Sequence, residues 1–567
     1  MVRLCVFVTV LAAATVSVSI RNAGKDWYKN SLVYQVYPRS FKDSDGDGIG
    51  DLNGITSKLG HIVNIGADAL WLSPIYTSPQ FDFGYDVSNY TDVDKDYGTL
   101  ADFDRLVATA KSLGLRIILD FVPNHSSCEH EWFKKSVQRI KPYDEYYVWR
   151  DAKIVNGTRK PPNNWLSAVK GSAWEWNAAR KQYYLHKFNV VQADLNYRSA
   201  ALQREMKNVL TFWLNRGVDG FRIDAISHLY EDARFLDEPR KNASPDDDEY
   251  ETLDHIYTIN LNETYAVLRS WRELLNNHSN TTDTRLILTE GDADFEAYYK
   301  SGSNVPFNFM FILSLNNKSS AADFKRSIDS WMNLIPNNPD YVANWVVGNH
   351  DNHRVASRFG EKRADQLSML ATILPGVSVI YNGDEIGMLD RNFTYAETVD
   401  PIGCIAGPNR YHLKSRDPAR TPFHWDNSTS AGFSINNKTW LPVHTNYKTL
   451  NLAAQKTAAV SHYKVFQALT RLKRKPVIER GSLETVLVTE KILGAVRRLD
   501  ASVVALMVNF ADTPVTVDAR TWMNIPEQLI VYAPSVLSGL LAGSRVDTTR
   551  ITMPASASVV LTTADLV

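Results

Sequence analysis

The sequence predicts an α/β fold: a (β/α)8 TIM barrel with an inserted subdomain after strand 3 and a C-terminal antiparallel β domain. Three observations carry this. Eight short apolar runs alternate with segments of helical periodicity. Polar and charged residues gather at the ends of nearly all of these runs, and the C-terminal rim of such a barrel is where chemistry sits. After about residue 480 the pattern changes to closely spaced β-like runs.

In chain order the runs are LVYQVYP (32–38), ALWLSPI (69–75), RIILDFVPNH (116–125), GFRIDA (220–225), RLILTEGD (285–292), VPFNFMF (305–311), ANWVVGNHD (343–351) and VSVIYNGDE (377–385). Continuous apolar runs suit strands covered on both faces, as in a parallel sheet. TLADFDRLVATAKSLG (99–114) typifies the intervening segments: it has helical periodicity and a glycine stop before the next strand. Between the third and fourth runs lie nearly a hundred residues rich in Trp, Tyr, Asn and Pro. A crossover helix needs far fewer, so a small subdomain is expected over 126–190. The barrel then takes 20–125 and 191–479. LETVLVTE, GAVRRL, SVVALMVNF and ASVVLTT give the C-terminal β domain, 480–567.

A chain of 567 residues exceeds one ordinary compact domain. Its net charge of −1 argues against nucleic acid or an anionic membrane surface as partner. MVRLCVFVTVLAAATVSVS has a basic residue, an apolar run and small residues at its end, and reads as a cleaved signal peptide over 1–19. No later run approaches a membrane span, and the C-terminus is too short and polar for a lipid-anchor signal. A secreted, extracellular protein is expected. Sequons at Asn89, Asn156, Asn242, Asn262, Asn280, Asn317, Asn392, Asn427 and Asn437 fit a glycoprotein. Asn124 also fits the pattern but belongs to a strand end expected to be buried and unmodified. With Cys5 lost in the leader, Cys128 and Cys404 either bond to each other or stay free.

GFRIDA places Arg222 and Asp224 two apart on a strand, so both side chains face one side. The adjacent guanidinium keeps a carboxylate ionised. TEGD offers Glu290 on the next strand, and GNHD offers His350 and Asp351 on the seventh. Two carboxyls on neighbouring strands, about 5 Å apart across a sugar, are what a retaining glycosidase needs. A structural ion-pair network and a divalent-metal site are the competing readings. His125 and His350 come with no spacing that favours zinc. In KDSDGDGIGD (42–51) aspartates alternate as hard oxygen ligands would around calcium. An EF-hand is excluded, because Gly54 stands where its bidentate glutamate belongs and a strand precedes the loop. An ion loop and a solvated acidic turn both remain.

DFVPNH, GFRIDA, LTEG and VVGNHD resemble the four signature regions of the α-amylase family, glycoside hydrolase family 13. QADLNY (192–197), GADALWLSPIY (66–76) and GVSVIYNGDEIG (376–387) resemble its accessory regions. The resemblance covers essentially the whole chain after the leader, with the motifs in order. QVYPRSFKDSDGDGIGDLNGI and SRDPARTPFHW look like the oligo-1,6-glucosidase/maltase group, closest to insect maltases and sucrases.

This resemblance implies roles. Asp224 matches the nucleophile, Glu290 the general acid/base, with a pKa raised by burial and nearby carboxylates, and Asp351 the third carboxylate. Arg222, His125 and His350 match residues that hold the −1 sugar and the nucleophile. Tyr85 matches the platform under that ring, and Phe188 flanks it. Asp82 matches a carboxylate that grips the non-reducing-end hydroxyls with an arginine of SRDPAR, Arg416 in preference to Arg420. A pocket closed behind one glucose makes an exo-acting α-glucosidase for maltose, sucrose and short malto-oligosaccharides. Ala225, directly after the nucleophile, leans the linkage preference away from α-1,6. The resemblance also implies a structural Ca²⁺ held by the side chains of Asp43, Asp45, Asp47 and Asp51 and the carbonyl of Ile49. Two alternatives stand beside it: a non-catalytic, transporter-heavy-chain-like protein on the same fold, and a transglucosylase or isomerase using the same covalent intermediate.

Overall fold

The computed structural model describes residues 24–241, 247–278, 283–291 and 293–567. The expected signal peptide, Cys5, Asn242 and Asn280 lie outside the described residues. Eight parallel strands form one sheet: β1 (Leu32–Val36), β2 (Ala69–Leu72), β3 (Arg116–Phe121), β4 (Gly220–Ile223), β5 (Leu286–Thr289), β6 (Val305–Pro306), β7 (Asn344–Val346) and β8 (Val377–Tyr381). They are ordered β6-β5-β4-β3-β2-β1-β8-β7. The seam between β6 and β7 is closed by a side chain. The Asn344 amide donates to the Pro306 carbonyl (2.6 Å) and accepts from the Asn308 backbone N–H (2.8 Å). The barrel is thereby completed.

Alternation within each strand explains the continuous apolar runs. Val33, Trp71, Ile118, Leu288 and Val379 belong to one buried cluster inside the barrel. Leu32, Tyr34, Leu70, Ile117 and Ile380 belong to the layer under the helices. Both faces are buried, so neither needs a polar residue. The helices α1 (Leu52–Asn64), α2 (Leu100–Ser112), α3 (Ala200–Asn215), α4 (Asn262–His278), α5 (Ala321–Leu334), α6 (Ala364–Ile373) and α7 (His462–Lys473) form that outer layer. α2 starts in a capping box, Thr99 with Asp102, and Gly114 at φ +76° releases the chain into β3.

The insertion after β3 leaves and returns through a short antiparallel pair, His125–Ser127 with Gln192–Asp194. Above this neck stand a three-stranded sheet and a hairpin. At the C-terminus six antiparallel strands between Ser482 and Thr562 form a second sheet. Val496, Met507, Val531 and Leu561 are buried at its core. Both described cysteines are free, which decides between the two readings of Cys128 and Cys404. The seven described sequon asparagines are exposed, whereas Asn124 is buried. No described helix is long and apolar enough to cross a membrane.

Candidate active site

Arg222 sits at the hub of the strand ends. Its guanidinium is buried and lies 5.3 Å over the Trp71 ring. Nη1 donates to both oxygens of Asp120 (2.9 and 3.1 Å) and to Asp224 Oδ1 (2.6 Å), and Nη2 donates to Glu290 Oε2 (2.6 Å). One planar fork therefore fixes two carboxyls from adjacent strands and leaves Asp224 Oδ2 and Glu290 Oε1 unclaimed by it. Asp120 is opposite Arg222 in the β3–β4 register and takes further hydrogen bonds from Tyr85 Oη (3.1 Å) and Trp71 Nε1 (3.3 Å). Sequence reasoning places Asp120 at a strand end but gives it no role. Its signal is the β3–β4 pairing, which only a known register supplies.

His350 is clamped between two rings, Tyr85 (5.3 Å, 6°) and Tyr37 (5.4 Å, 20°). The Gln35 amide lies 2.9 Å from Nδ1, which assigns that nitrogen as acceptor and the proton to Nε2, 3.4 Å from Asp351. Burial drives the His350 pKa down to about 3, so the ring is neutral. His125 is likewise neutral, lowered by burial to about 4, with Nε2 3.1 Å from the Tyr85 carbonyl. Across the neck, Gln192 Nε2 donates to Asp82 Oδ2 (3.2 Å) and to the Tyr85 carbonyl (3.3 Å). Gln192 is a second residue that sequence reasoning passes over.

The DFGYD turn is folded by Asp86, whose carboxylate accepts from the backbone N–H groups of Phe81 and Asp82 (3.0 and 2.9 Å). The turn carries Asp82 to Arg416, at 2.5 Å from Nη2. Arg416 is held in turn by Asp400 (2.6 Å), which the sequence does not single out. Arg420 does not reach Asp82. It grips Asp351 (2.9 Å) and the His350 carbonyl (2.8 Å), while Arg416, bound to Asp82, approaches the same Asp351 oxygen at 3.5 Å. Phe188 packs at 5.2 Å from the His125 ring.

Asp82, Tyr85, His125, Phe188, Gln192, Asp224, Glu290, Asp351 and Arg416 line a cavity of about 430 Å³, whereas Arg222, His350 and Arg420 stand behind these groups and do not line it. Asp82, Tyr85 and Arg416 are among its buried or nearly buried residues, and the exposed Leu313 with the half-buried Val169, Ile402 and Lys414 marks its mouth. Its charges are unequal. Burial acts to raise Asp351, but His350, Arg420 and Arg416 outweigh it and hold this carboxyl well below the usual range. The arginines are the charges that persist, because His350 is neutral. Burial raises Glu290 to about 8 and Asp224 to about 7, against the pull of Arg222 and with the repulsion of neighbouring carboxylates. Glu290 is the last to lose its proton. Ala225 lies in the left-handed region, φ +45°, and points its N–H at Glu290 Oε2 (3.4 Å). A valine here would be strained as well as bulky, so a valine substitution does not isolate linkage preference.

The KDSDGDGIGD loop brings Asp43, Asp45 and Asp51 together, with ligand oxygens within 4.8 Å of one another. Asp47 stands outside this group and accepts from the Ile49 backbone N–H (2.7 Å). Asp51 also caps α1 through Gly54 N–H (2.8 Å). The loop rests on the 433–440 segment, where Trp440 N–H donates to the Gly48 carbonyl (3.0 Å).

Residues 35–481 match the family described as "Alpha amylase, catalytic domain". Maltase 1 of Drosophila virilis is 47% identical over 526 residues, covering 90% of this chain and 83% of that protein. The alpha-glucosidase of Apis mellifera is 47% identical over 503 residues, covering 88% of each. The crystal structure of the alpha-glucosyl transfer enzyme XgtA superposes with a TM-score of 0.83 at 33% identity, covering 95% of this chain and 99% of that one.

Proposed function

Because the chain belongs to the α-amylase family, we propose that it is a secreted, retaining, exo-acting α-glucosidase. Its substrates are the terminal non-reducing α-glucosyl residues of maltose, sucrose and short malto-oligosaccharides. The observation that carries this is the single Arg222 fork holding Asp224 and Glu290 at a pocket whose wall includes the nearly buried Asp82–Arg416 pair.

Asp82 and Arg416 grip the hydroxyls of the terminal glucose, Tyr85 lies beneath its ring, and His125 and Phe188 flank it. Asp224 attacks the anomeric carbon through Oδ2, the oxygen that Arg222 leaves free. Glu290 delivers its Oε1 proton to the glycosidic oxygen as the C–O bond breaks, and the aglycone departs. Asp351, held ionised, stabilises the positive charge that develops on the ring. Glu290, now ionised, takes a proton from water, which attacks from the face the aglycone left. Glucose is released with retained configuration and Asp224 is regenerated. A sugar hydroxyl in place of that water gives transfer instead. XgtA is named for transfer, and this is the second reading that the shared intermediate supports. The heavy-chain-like reading is disfavoured by the complete set Asp224, Glu290 and Asp351 on one cavity.

The deciding experiment is a product assay on maltose, sucrose, isomaltose and starch. Maltose or sucrose is expected to exceed isomaltose by at least about tenfold in kcat/KM, or ~1.4 kcal/mol. Equal rates on isomaltose and maltose would refute the inference from Ala225. Products larger than glucose appearing first from starch would refute exo action. Asp82→Ala is expected to lower kcat/KM on maltose about a hundredfold, or ~3 kcal/mol, by removing one charged contact to the sugar. Arg416 keeps Asp400 as partner, so the pocket wall should stand. A loss of tenfold or less would remove Asp82 from the sugar site.

For the 42–51 loop we propose a structural Ca²⁺, held by Asp43, Asp45 and Asp51 with the Ile49 carbonyl; Asp47, which stands outside the group, joins the shell only by turning its carboxylate from the Ile49 N–H toward the ion. The fit rests on three converging carboxylates, none in an ion pair with a described residue. The ion would neutralise them and tie the start of α1 to the loop. The unmutated protein should melt a few degrees higher in millimolar calcium than in chelator. Asp45→Ala should abolish that difference while leaving kcat unchanged. A melting temperature indifferent to calcium would count against the site.

A further inference from the structure

Beside the mouth of the cavity, without lining it, one carboxylate collects three cations from two loops. Glu249 lies on the β4–α4 connection, and its side chain is only 12% exposed. Arg410 Nη1 is 2.5 Å from Oε1, Lys170 Nζ 3.8 Å from Oε1, and Lys414 Nζ 3.8 Å from Oε2. Lys170 belongs to a turn of the insertion and adjoins Val169, which lines the mouth. Lys414 lines the mouth itself, on the segment that follows β8. The same connection touches the insertion elsewhere as well: Gly171 N–H donates to the Asp248 carbonyl (2.8 Å), Trp165 Nε1 to the Leu236 carbonyl (2.9 Å) and Lys187 Nζ to Thr258 Oγ1 (2.8 Å).

On its inner side the connection is anchored. Tyr250 stacks on His255 (3.6 Å, 10°), and His255 Nδ1 is 2.8 Å from Glu238. Lys187, which precedes Phe188, lies over the Tyr250 ring at 4.6 Å. Glu249 thus projects from a fixed base toward two loops, from the insertion and from beyond β8. Loops on a scaffold are mobile by default, and a shared counter-charge is what limits their relative movement. Among the described residues Glu249 forms its ion pairs with Lys170, Arg410 and Lys414, and not with Arg416, which pairs with Asp82 and Asp400.

We propose that Glu249 is the positioning residue for the acceptor side of the pocket. Its carboxylate ties Lys170, Arg410 and Lys414 together and so sets the fit of the leaving sugar, without acting on the glucose that is cleaved. This rests on the α-glucosidase reading above. The two 3.8 Å contacts are part-exposed, so salt weakens them.

Glu249→Gln keeps the shape and removes the charge. Maltotriose fills the acceptor side, whereas α-glucosyl fluoride has a leaving group too small to reach it. The variant is expected to raise KM for maltotriose at least about fivefold, with kcat within about twofold, and to leave both constants unchanged on the fluoride. Raising sodium chloride from about 0.05 M to about 0.5 M should raise the maltotriose KM of the unmutated enzyme and not that of the variant. Glu249→Asp should recover part of the loss. An unchanged maltotriose KM, or an equal loss on the fluoride, overturns the proposal. If the unmutated enzyme turns over neither substrate, the α-glucosidase reading falls and this one with it.

Discussion

Replacing Asp224 by asparagine is expected to lower kcat on maltose by at least about 10⁴-fold, a barrier increase of ~5.4 kcal/mol. Asparagine preserves size and can still contact Arg222, but it cannot form the ester with the anomeric carbon. It also removes the negative charge nearest the developing cation. Neither neighbour can substitute: Asp120 is buried under Arg222, and Asp351 is held by Arg420 and Arg416. Early-time NMR on the unmutated enzyme should show α-glucose before mutarotation. With Asp224→Ala, azide and α-glucosyl fluoride should yield β-glucosyl azide, because the small anion enters the space the carboxylate left. A loss below about a hundredfold, or β-glucose appearing first from the unmutated enzyme, would overturn the assignment.

Glu290→Gln should cost about 10³-fold on maltose, ~4 kcal/mol, and far less for glucosylation by α-glucosyl fluoride. Fluoride leaves without a proton, whereas the sugar alkoxide needs one. Azide should restore turnover by attacking the glucosyl-enzyme without a base, giving α-glucosyl azide. The pH dependence follows from the raised pKa. Glu290 works in its protonated form, so burial that lifts it to about 8 keeps it competent at neutral pH. Activity on maltose should fall as pH rises past that value. Asp224 works ionised, so activity should also fall as pH drops below about 7. The two limbs belong to the coupled pair rather than to single residues. In Glu290→Gln, assayed with the fluoride and azide, the alkaline limb should vanish. Its persistence would mean that another group supplies the proton.

Much of this molecule is legible in its sequence. Eight apolar runs specify a barrel because strands buried on both faces need no polar residues, a signal local to each segment. Arg222 and Asp224 share a side because strand periodicity is two. Motif order then brings Glu290, His350 and Asp351 to the same rim. The structure sets Asp224, Glu290 and Asp351 on one cavity, with Arg222 and His350 behind them. What sequence leaves open is which partner each group takes. Arg416 and Arg420 are four apart in an irregular segment, where no periodicity says that both reach Asp351 but only Arg416 meets Asp82. Gln192 reaches Asp82 from across the neck of the insertion, and Asp400 holds Arg416 from another loop. Cys128 and Cys404 are free, and Ala225 is left-handed. Asp47 stands apart from the other loop aspartates, and Glu249 ties separate loops beside the mouth. Apart from the Ala225 backbone and the placement of Asp47, which are local conformations, each of these is set by distances between segments the chain order does not bring together. Sequence by itself determined the elements, their order and the carboxyls they carry. Only the tertiary structure decided the pairing of charges, because a charge pair depends on distance in space and the chain encodes only distance along itself.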